Sequence, residues 1–299
     1  MTISPNKWEL DAQGYVNTYG LIDATSRAFI RAVSKSINDA NTTELRSLLP
    51  ANLAAWYAAD SGVLNSVSPD VAATDTQTVR RWNDLSGNAN HYNQSTLAFQ
   101  PTLSSGTISY DGSNDYMEAS IAGFSGFTAL TIVDLVSSTL AAATDTQTLL
   151  CWGFGAIDAG GGGAALSSTT GVFAGERIAF VASPSNARLG SSTYARAANT
   201  AQILSSVLSS SGPKLYAGAA EQSLNLANLI TTSSNLTPSA LGYTLDNILF
   251  MNALRDTTAT LVAGPAAKFR ERLVFSRALS EAELTNVWNY LRFKWGVPL

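Results

Sequence analysis

At 299 residues the chain is long enough for two average domains or one large all-β domain, and an apolar share of 45% excludes wholesale disorder. Charged residues make up only 13%, against about 25% in typical soluble proteins, and Gly, Ser, Thr, Ala and Asn fill the gap, a balance that suits short strands and polar turns. The formal charge of −4, from 18 basic and 22 acidic residues, offers no general attraction for nucleic acid or an anionic membrane.

The charge is unevenly placed. No Lys or Arg occurs between Arg81 and Arg177, whereas Asp84, Asp111, Asp115, Glu118, Asp134, Asp145, Asp158 and Glu176 all fall there. A polyanion is therefore a poor partner for that stretch. Cys151 is the single cysteine, so no intrachain disulfide forms. Residues 1–10 lack a basic region followed by an apolar run, so no secretory signal is expected. No apolar run reaches about 18 residues, so no membrane insertion is expected either.

In chain order, residues 1–49 read as a helical segment of their own. Phe29, Val33 and Ile37 recur every four residues with Ile30 beside them, a narrow apolar stripe on one helix face. So thin a stripe needs something to dock on: its own sandwich, sister copies or a larger assembly. From Pro50 onward the rhythm is short strand, polar turn, short strand. Strands are predicted over 54–58, 78–82, 107–110, 116–119, 127–136, 148–154, 177–181, 201–208, 214–217, 247–251 and 269–275, each rich in Val, Ile, Leu or aromatics and bounded by turn formers. Near the C-terminus, Ser280 and Glu283 form a capping box, flanked by a Leu279/Leu284 staple. Leu284, Val287, Trp288, Leu291 and Trp295 then line one helix face, which Gly296 and Pro298 terminate. Such a helix is expected to seal one end of the sandwich.

Three segments carry a resemblance. They are residues 49–60 (LPANLAAWYAAD) with 79–91 (VRRWNDLSGNANH), residues 108–117 (ISYDGSNDYM), and residues 277–284 (RALSEAEL) running into 290–296 (YLRFKWG). Their order and spacing resemble the laminin G-like, concanavalin A-like jelly-roll family. The resemblance implies a mainly β chain, a two-sheet antiparallel jelly-roll sandwich over residues 50–299 with a short helical N-terminal segment and a C-terminal capping helix. Relatives of this fold bind Ca²⁺ or sugars. Asp84, Asp111 and Asp115, with Asn114, supply enough oxygens for Ca²⁺ if they converge. The plainer reading is that Asp84, Ser86-Gly87-Asn88 and Asp111-Gly112 build tight turns. Trp56, Trp82 and Trp152 could stack on sugars, but each sits in an apolar strand, which favours core packing.

Catalysis is not expected. Glycosidases of this fold class pair carboxylates along one strand, and no strand here carries that pair. Glu281 and Glu283 sit instead in a helix's first turn, and His91, the only histidine, has no visible partner. Domains of this resemblance occur in two settings. One is a tailed-bacteriophage virion protein, displayed on the particle as a capsid decoration, head fibre or tail fibre. The other is a carbohydrate-binding or adhesion module of a bacterial surface protein. The lack of an export signal favours the virion protein, made in the host cytoplasm and displayed on the virion exterior. Its expected partners are sister copies in a homotrimer, other virion proteins reached through residues 1–49, and a host-surface glycan. No cofactor is expected beyond the Ca²⁺ option.

Overall fold

A computed structural model describes residues 42–138, 199–225, 248–255, 261–263 and 266–297, and positions 28, 32 and 239. It also describes the backbone of strands Gln147–Gly153, Gly163–Thr169, Arg177–Ser183 and Ala187–Ser191. Phe29, Ile30, Val33 and Ile37 lie outside the described residues.

The strand Leu130–Ser138 shows how the sequence makes two cores. Side chains alternate across a strand. Leu130, Ile132 and Val136 enter one apolar cluster, while Val133 and Leu135 enter a second on the opposite face. The strand belongs to an 8-stranded sheet ordered Ala220–Gln222, Gly212–Ala217, Gln202–Ser209, Leu130–Ser138, Ala266–Phe275, Thr107–Asp111 and Thr102–Ser104, with Leu53–Ala58 also paired to Ala266–Phe275. Facing it is an 11-stranded sheet. From one edge it runs Leu224–Asn225, Ala187–Ser191, Arg177–Ser183, Gly163–Thr169, Gln147–Gly153 and Ile248–Met251. It continues through Met117–Ser120, Tyr92–Asn93, Arg81–Trp82, Val63–Val67 and Asp70–Ala72. Pairing within both sheets is antiparallel among the described strands. The fold is mainly β, two antiparallel sheets forming a sandwich, with a helix at each end of the described chain.

The first cluster lies between the sheets, where Tyr57, Trp82, Tyr92, Tyr110, Met117 and Phe269 meet. The second lies on the outer face of the 8-stranded sheet. There helix α2 (Glu281–Trp295) covers Trp56, Val133, Leu135, Ile203, Val207, Leu273 and Phe275. The closing helix thus lies across a sheet face and does not seal an end, because its apolar side chains match the outward row of the central strands. Its start follows the sequence signature. Ser280 caps the helix, the Glu283 side chain returns to the Ser280 N–H, and Gly296 ends it at φ 64°. Arg277 clamps Glu283 with bonds of 2.9 and 2.5 Å, and with the Ser280 bonds this lowers the Glu283 pKa to about 2. Helix α1 (Thr42–Leu48) adds Leu45 to the same cluster, followed by Leu49. Those residues of the N-terminal segment therefore pack on their own sandwich.

The strand Ala266–Phe275 carries the feature that joins the two cores. Its pairing with Leu130–Ser138 shifts register between Phe269 and Glu271, so Arg270 is an extra residue in a bulge. The bulge reverses the alternation. Phe269 and Arg272 face the interior, while Glu271 faces the helix. Glu271 is 0% exposed and accepts four bonds there: Trp56 Nε1 at 2.6 Å, Tyr290 Oη at 2.5 Å, Lys294 Nζ at 2.9 Å and Trp295 Nε1 at 2.6 Å. Lys294 also reaches Asp60 at 3.1 Å. Burial opposes its charge, but Glu271 and Asp60 outweigh that and hold its pKa above normal. On the other side Arg272 grips Asp134 at 2.6 and 2.9 Å and donates to Tyr92 Oη at 2.9 Å. A buried pair of this kind costs most when one member is removed.

Glu271→Gln should therefore cost about 3–5 kcal/mol, because Lys294 is left buried beside a neutral amide. Ser280→Ala should cost only about 1 kcal/mol through the lost cap. Urea unfolding of both variants checks this. Equal losses would mean that the Glu271 carboxylate does not hold the helix.

Candidate functional site

The residues singled out from the sequence take separate places. Asp84 is the centre of a clasp: its carboxylate accepts from Trp56 N at 2.9 Å, Ser86 N at 2.8 Å, Ser86 Oγ at 2.8 Å and Asn90 N at 3.0 Å. Asn88 and Asn90 donate to the Ala54 carbonyl at 3.0 and 2.8 Å, fastening the loop to the strand Leu53–Ala58. The oxygens of Asp84 are thus spent on the turn. No group of three or more His, Cys, Asp or Glu that could hold a metal occurs among the described residues, so Asp84, Asp111 and Asp115 do not assemble as a Ca²⁺ site there. His91 Nδ1 accepts from Asp84 N at 3.0 Å, and burial, with Arg81 nearby, lowers its pKa. Glu281 is exposed in the first turn of α2. Trp56 and Trp82 are core residues, and the Trp152 side chain lies outside the description.

Asp111 and Asp115 do come together, at the rim where the chain passes from one sheet to the other. The loop runs from Thr107–Asp111 in the first sheet to Met117–Ser120 in the second. Asp111 Oδ1 accepts from Ser113 N at 2.7 Å and Asn114 N at 3.3 Å. Asp115 Oδ2 accepts from Asp111 N at 3.0 Å. Gly112 holds the turn at φ +81°, where a Cβ would stand 2.6 Å from the Ala266 nitrogen. The loop delivers Tyr116, half-buried, against half-buried Phe99 of the 3-10 turn Leu97–Phe99, with ring centroids 5.7 Å apart. Tyr116 N donates to the Phe99 carbonyl at 3.2 Å, and Leu97 beside them is 69% exposed. Asp111, Ser113 and Asn114, in the loop that leads to Tyr116, are exposed.

Beneath this surface the polar groups are incompletely satisfied. Asn252 is 0% exposed with φ 58°; its Nδ2 donates to the Asp115 carbonyl at 3.4 Å, but its Oδ1 has no partner. The Tyr110 hydroxyl, also buried, has none either. Asp115 is 7% exposed, and burial raises its carboxyl to about 6, with Asp111 adding repulsion and its N–H partly offsetting the shift. Orphaned buried polar atoms, a non-glycine residue at positive φ, a perturbed carboxyl and accessible aromatics mark functional sites when they coincide. Sequence reasoning found Asp111 and Asp115 but missed Phe99, Tyr116 and Asn252. The sequence pattern assigns Tyr116 to the following strand, and nothing local announces the Asn252 conformation beyond the tolerance of Asn for it.

No family model matches the chain, and no curated protein does. Solved structures do. A Trypanosoma rangeli sialidase in complex with sialic acid superposes with TM-score 0.53 and 13% identity, over 84% of this chain and 34% of the sialidase. A GH54 α-L-arabinofuranosidase gives TM-score 0.53 and 12% identity, over 81% of this chain and 63% of that one. The CBM40 of the Ruminococcus gnavus IT-sialidase, bound to α2,3-sialyllactose, gives 0.48 and 17% over 60% and 95%. This chain thus spans about a third of the sialidase it matches. At these identities the likeness to the sialidase and the arabinofuranosidase shows a shared β-sandwich fold. It also corrects one expectation: the lack of paired carboxylates on a strand does not exclude catalysis, because glycoside hydrolases are among the structural neighbours.

The buried Asp115 carboxyl has a thermodynamic consequence. Its folded pKa of about 6 exceeds the ordinary value of 3.8, so between those values the folded chain holds the proton more tightly than the unfolded one. That stabilisation is complete below about pH 4 and is lost as pH rises to about 6. Asp115→Asn should therefore raise the melting temperature at pH 7.5 and leave it unchanged near pH 4. Thermal melts at the two pH values decide; a variant destabilised at both would contradict the assignment.

Proposed function

We propose that this chain is a glycan-binding β-sandwich whose ligand site is the rim formed by Leu97, Phe99, Asp111, Ser113, Asn114 and Tyr116. The observation that carries the reading is the half-buried Phe99–Tyr116 pair, joined to a loop whose Asp111, Ser113 and Asn114 side chains are exposed. A sugar presents one apolar ring face and a fringe of hydroxyls, so it asks for an aromatic wall with polar groups around it. The neighbours agree in class: a sialidase crystallised with sialic acid and an arabinofuranosidase both handle saccharides. This puts the carbohydrate-binding or adhesion reading ahead of display on a phage particle, which neither the fold nor its neighbours favour.

Glycoside hydrolysis is the second reading, favoured by one observation. A carboxyl protonated up to about pH 6, as Asp115 is, suits the general acid that donates a proton to a leaving sugar oxygen, and Asp111 supplies a second carboxylate nearby.

A glycan array followed by calorimetry tests both. Tyr116→Ala and Phe99→Ala should each weaken binding about tenfold, the loss of ~1–1.5 kcal/mol of aromatic contact, while circular dichroism stays unchanged. Undiminished binding in both would remove the rim as the site. Release of free sugar by wild type, abolished in Asp115→Asn, would select the second reading.

A further inference from the structure

The charge around the rim says which saccharides it takes. The segment from residue 82 to residue 176 carries eight acidic residues and no Lys or Arg, so the rim loop brings negative charge only. Asp111 is exposed at its surface and Asp115 lies just beneath, tied to it through the Asp111 N–H at 3.0 Å. The influences on the Asp115 carboxyl are burial, the Asp111 N–H and the Asp111 charge; among the described residues no cation acts on it.

The described side chains of the packed neighbours bring little to change this. The turn Leu97–Phe99 has no ionisable side chain, nor has the strand Ile248–Met251 or Asn252 after it. Strand Thr107–Asp111 adds the neutral Tyr110 phenol, whose pKa burial pushes well up. In strand Met117–Ser120 the ionisable group is Glu118, opposite Asn93. The nearest described cation in the ladder is Lys268, paired with Ser109, two residues along from the Asp111–Ala266 pair. It forms no ion pair with Asp111 among the described residues.

We infer that the rim selects neutral saccharides and rejects those carrying a carboxylate at neutral pH, an inference that rests on the glycan-binding reading above. The selection runs against a direct transfer from the sialidase neighbour, whose ligand is sialic acid. Two like charges about 6 Å apart, in the partly screened setting of a protein rim, repel strongly enough to cost about tenfold in affinity. The exposed Asp111 carboxylate points the same way: it is an acceptor, suited to hydroxyl or amide donors. Acidification adds a second handle, because Asp115 is ionised at pH 7.5 and protonated at pH 5.

The test is an array of matched pairs, each neutral oligosaccharide beside its carboxylate-bearing counterpart, with lactose and α2,3-sialyllactose as one pair. Wild type and the double variant Asp111→Asn/Asp115→Asn are compared at pH 7.5 and pH 5. Asn keeps a side-chain acceptor for the Ser113, Asn114 and Asp111 N–H groups and removes both charges, so the loop retains its shape. Wild type at pH 7.5 should bind the neutral members at least about tenfold more tightly. That ratio should shrink several-fold in the double variant, and in wild type at pH 5. Equal or tighter binding of the carboxylated members by wild type overturns the inference while leaving glycan binding intact, as does a ratio that the double variant does not change. Binding to no saccharide at either pH overturns the glycan-binding reading itself, and this inference with it.

Discussion

The bulge at Arg270 is the constraint on which the molecule is built. A single extra residue turns Glu271 outward and Arg272 inward, so one strand anchors a buried charge on each face of its sheet. On the outer face the Glu271 carboxylate gathers two Trp indoles, a Tyr hydroxyl and a Lys from the strand Leu53–Ala58 and helix α2. On the inner face Arg272 links Asp134 of the adjacent strand to Tyr92 of the facing sheet. Without the register shift, continued alternation from Phe269 would put Glu271 inside the sandwich, away from its four donors.

The same bulge divides the strand between two partners. Residues before it pair with Thr107–Asp111, and residues after it pair with Leu53–Ala58. The first half therefore sets where the Asp111–Tyr116 loop begins, with Gly112 pressed against the Ala266 backbone. The second half carries the helix and the Asp84 clasp, whose carboxylate holds Trp56 N. The proposed binding rim and the network under the helix thus share one strand but fall on opposite sides of its irregular residue. That separation lets the rim hold an orphaned amide oxygen and a perturbed carboxyl, both costly, while the Glu271 and Arg272 networks hold the fold.

Much of the fold was legible because local chemistry decides it. The Ser280/Glu283 box, the Gly296 stop and the Asp84 turn work through neighbours a few residues away, and each forms as its spacing implies. Strand alternation likewise announced the sandwich. What stayed hidden depends on partners distant in sequence. Glu271 lies 215 residues from Trp56, and nothing in the local pattern marks Arg270 as an inserted residue or places the helix on a sheet face. At the rim, the Asp111-Gly112 turn and the two aspartates were visible. Phe99 and Tyr116 meet only because the sandwich folds 17 residues of chain back on themselves, and Asn252 arrives from 137 residues away.

Under the proposed glycan-binding reading, two surfaces are candidates for the saccharide. The outer face of the 8-stranded sheet is covered by α2, whereas the 11-stranded sheet presents Arg81, Asn93 and Glu118 side by side, with Arg81 Nε donating to Asn93 Oδ1 at 3.0 Å. Amide chemical shifts followed by NMR during titration with the tightest-binding oligosaccharide separate the two directly. Shifts confined to residues 97–99, 111–116 and 252 are the expected result. Shifts centred on Arg81, Asn93 and Glu118, with the rim unmoved, would contradict it.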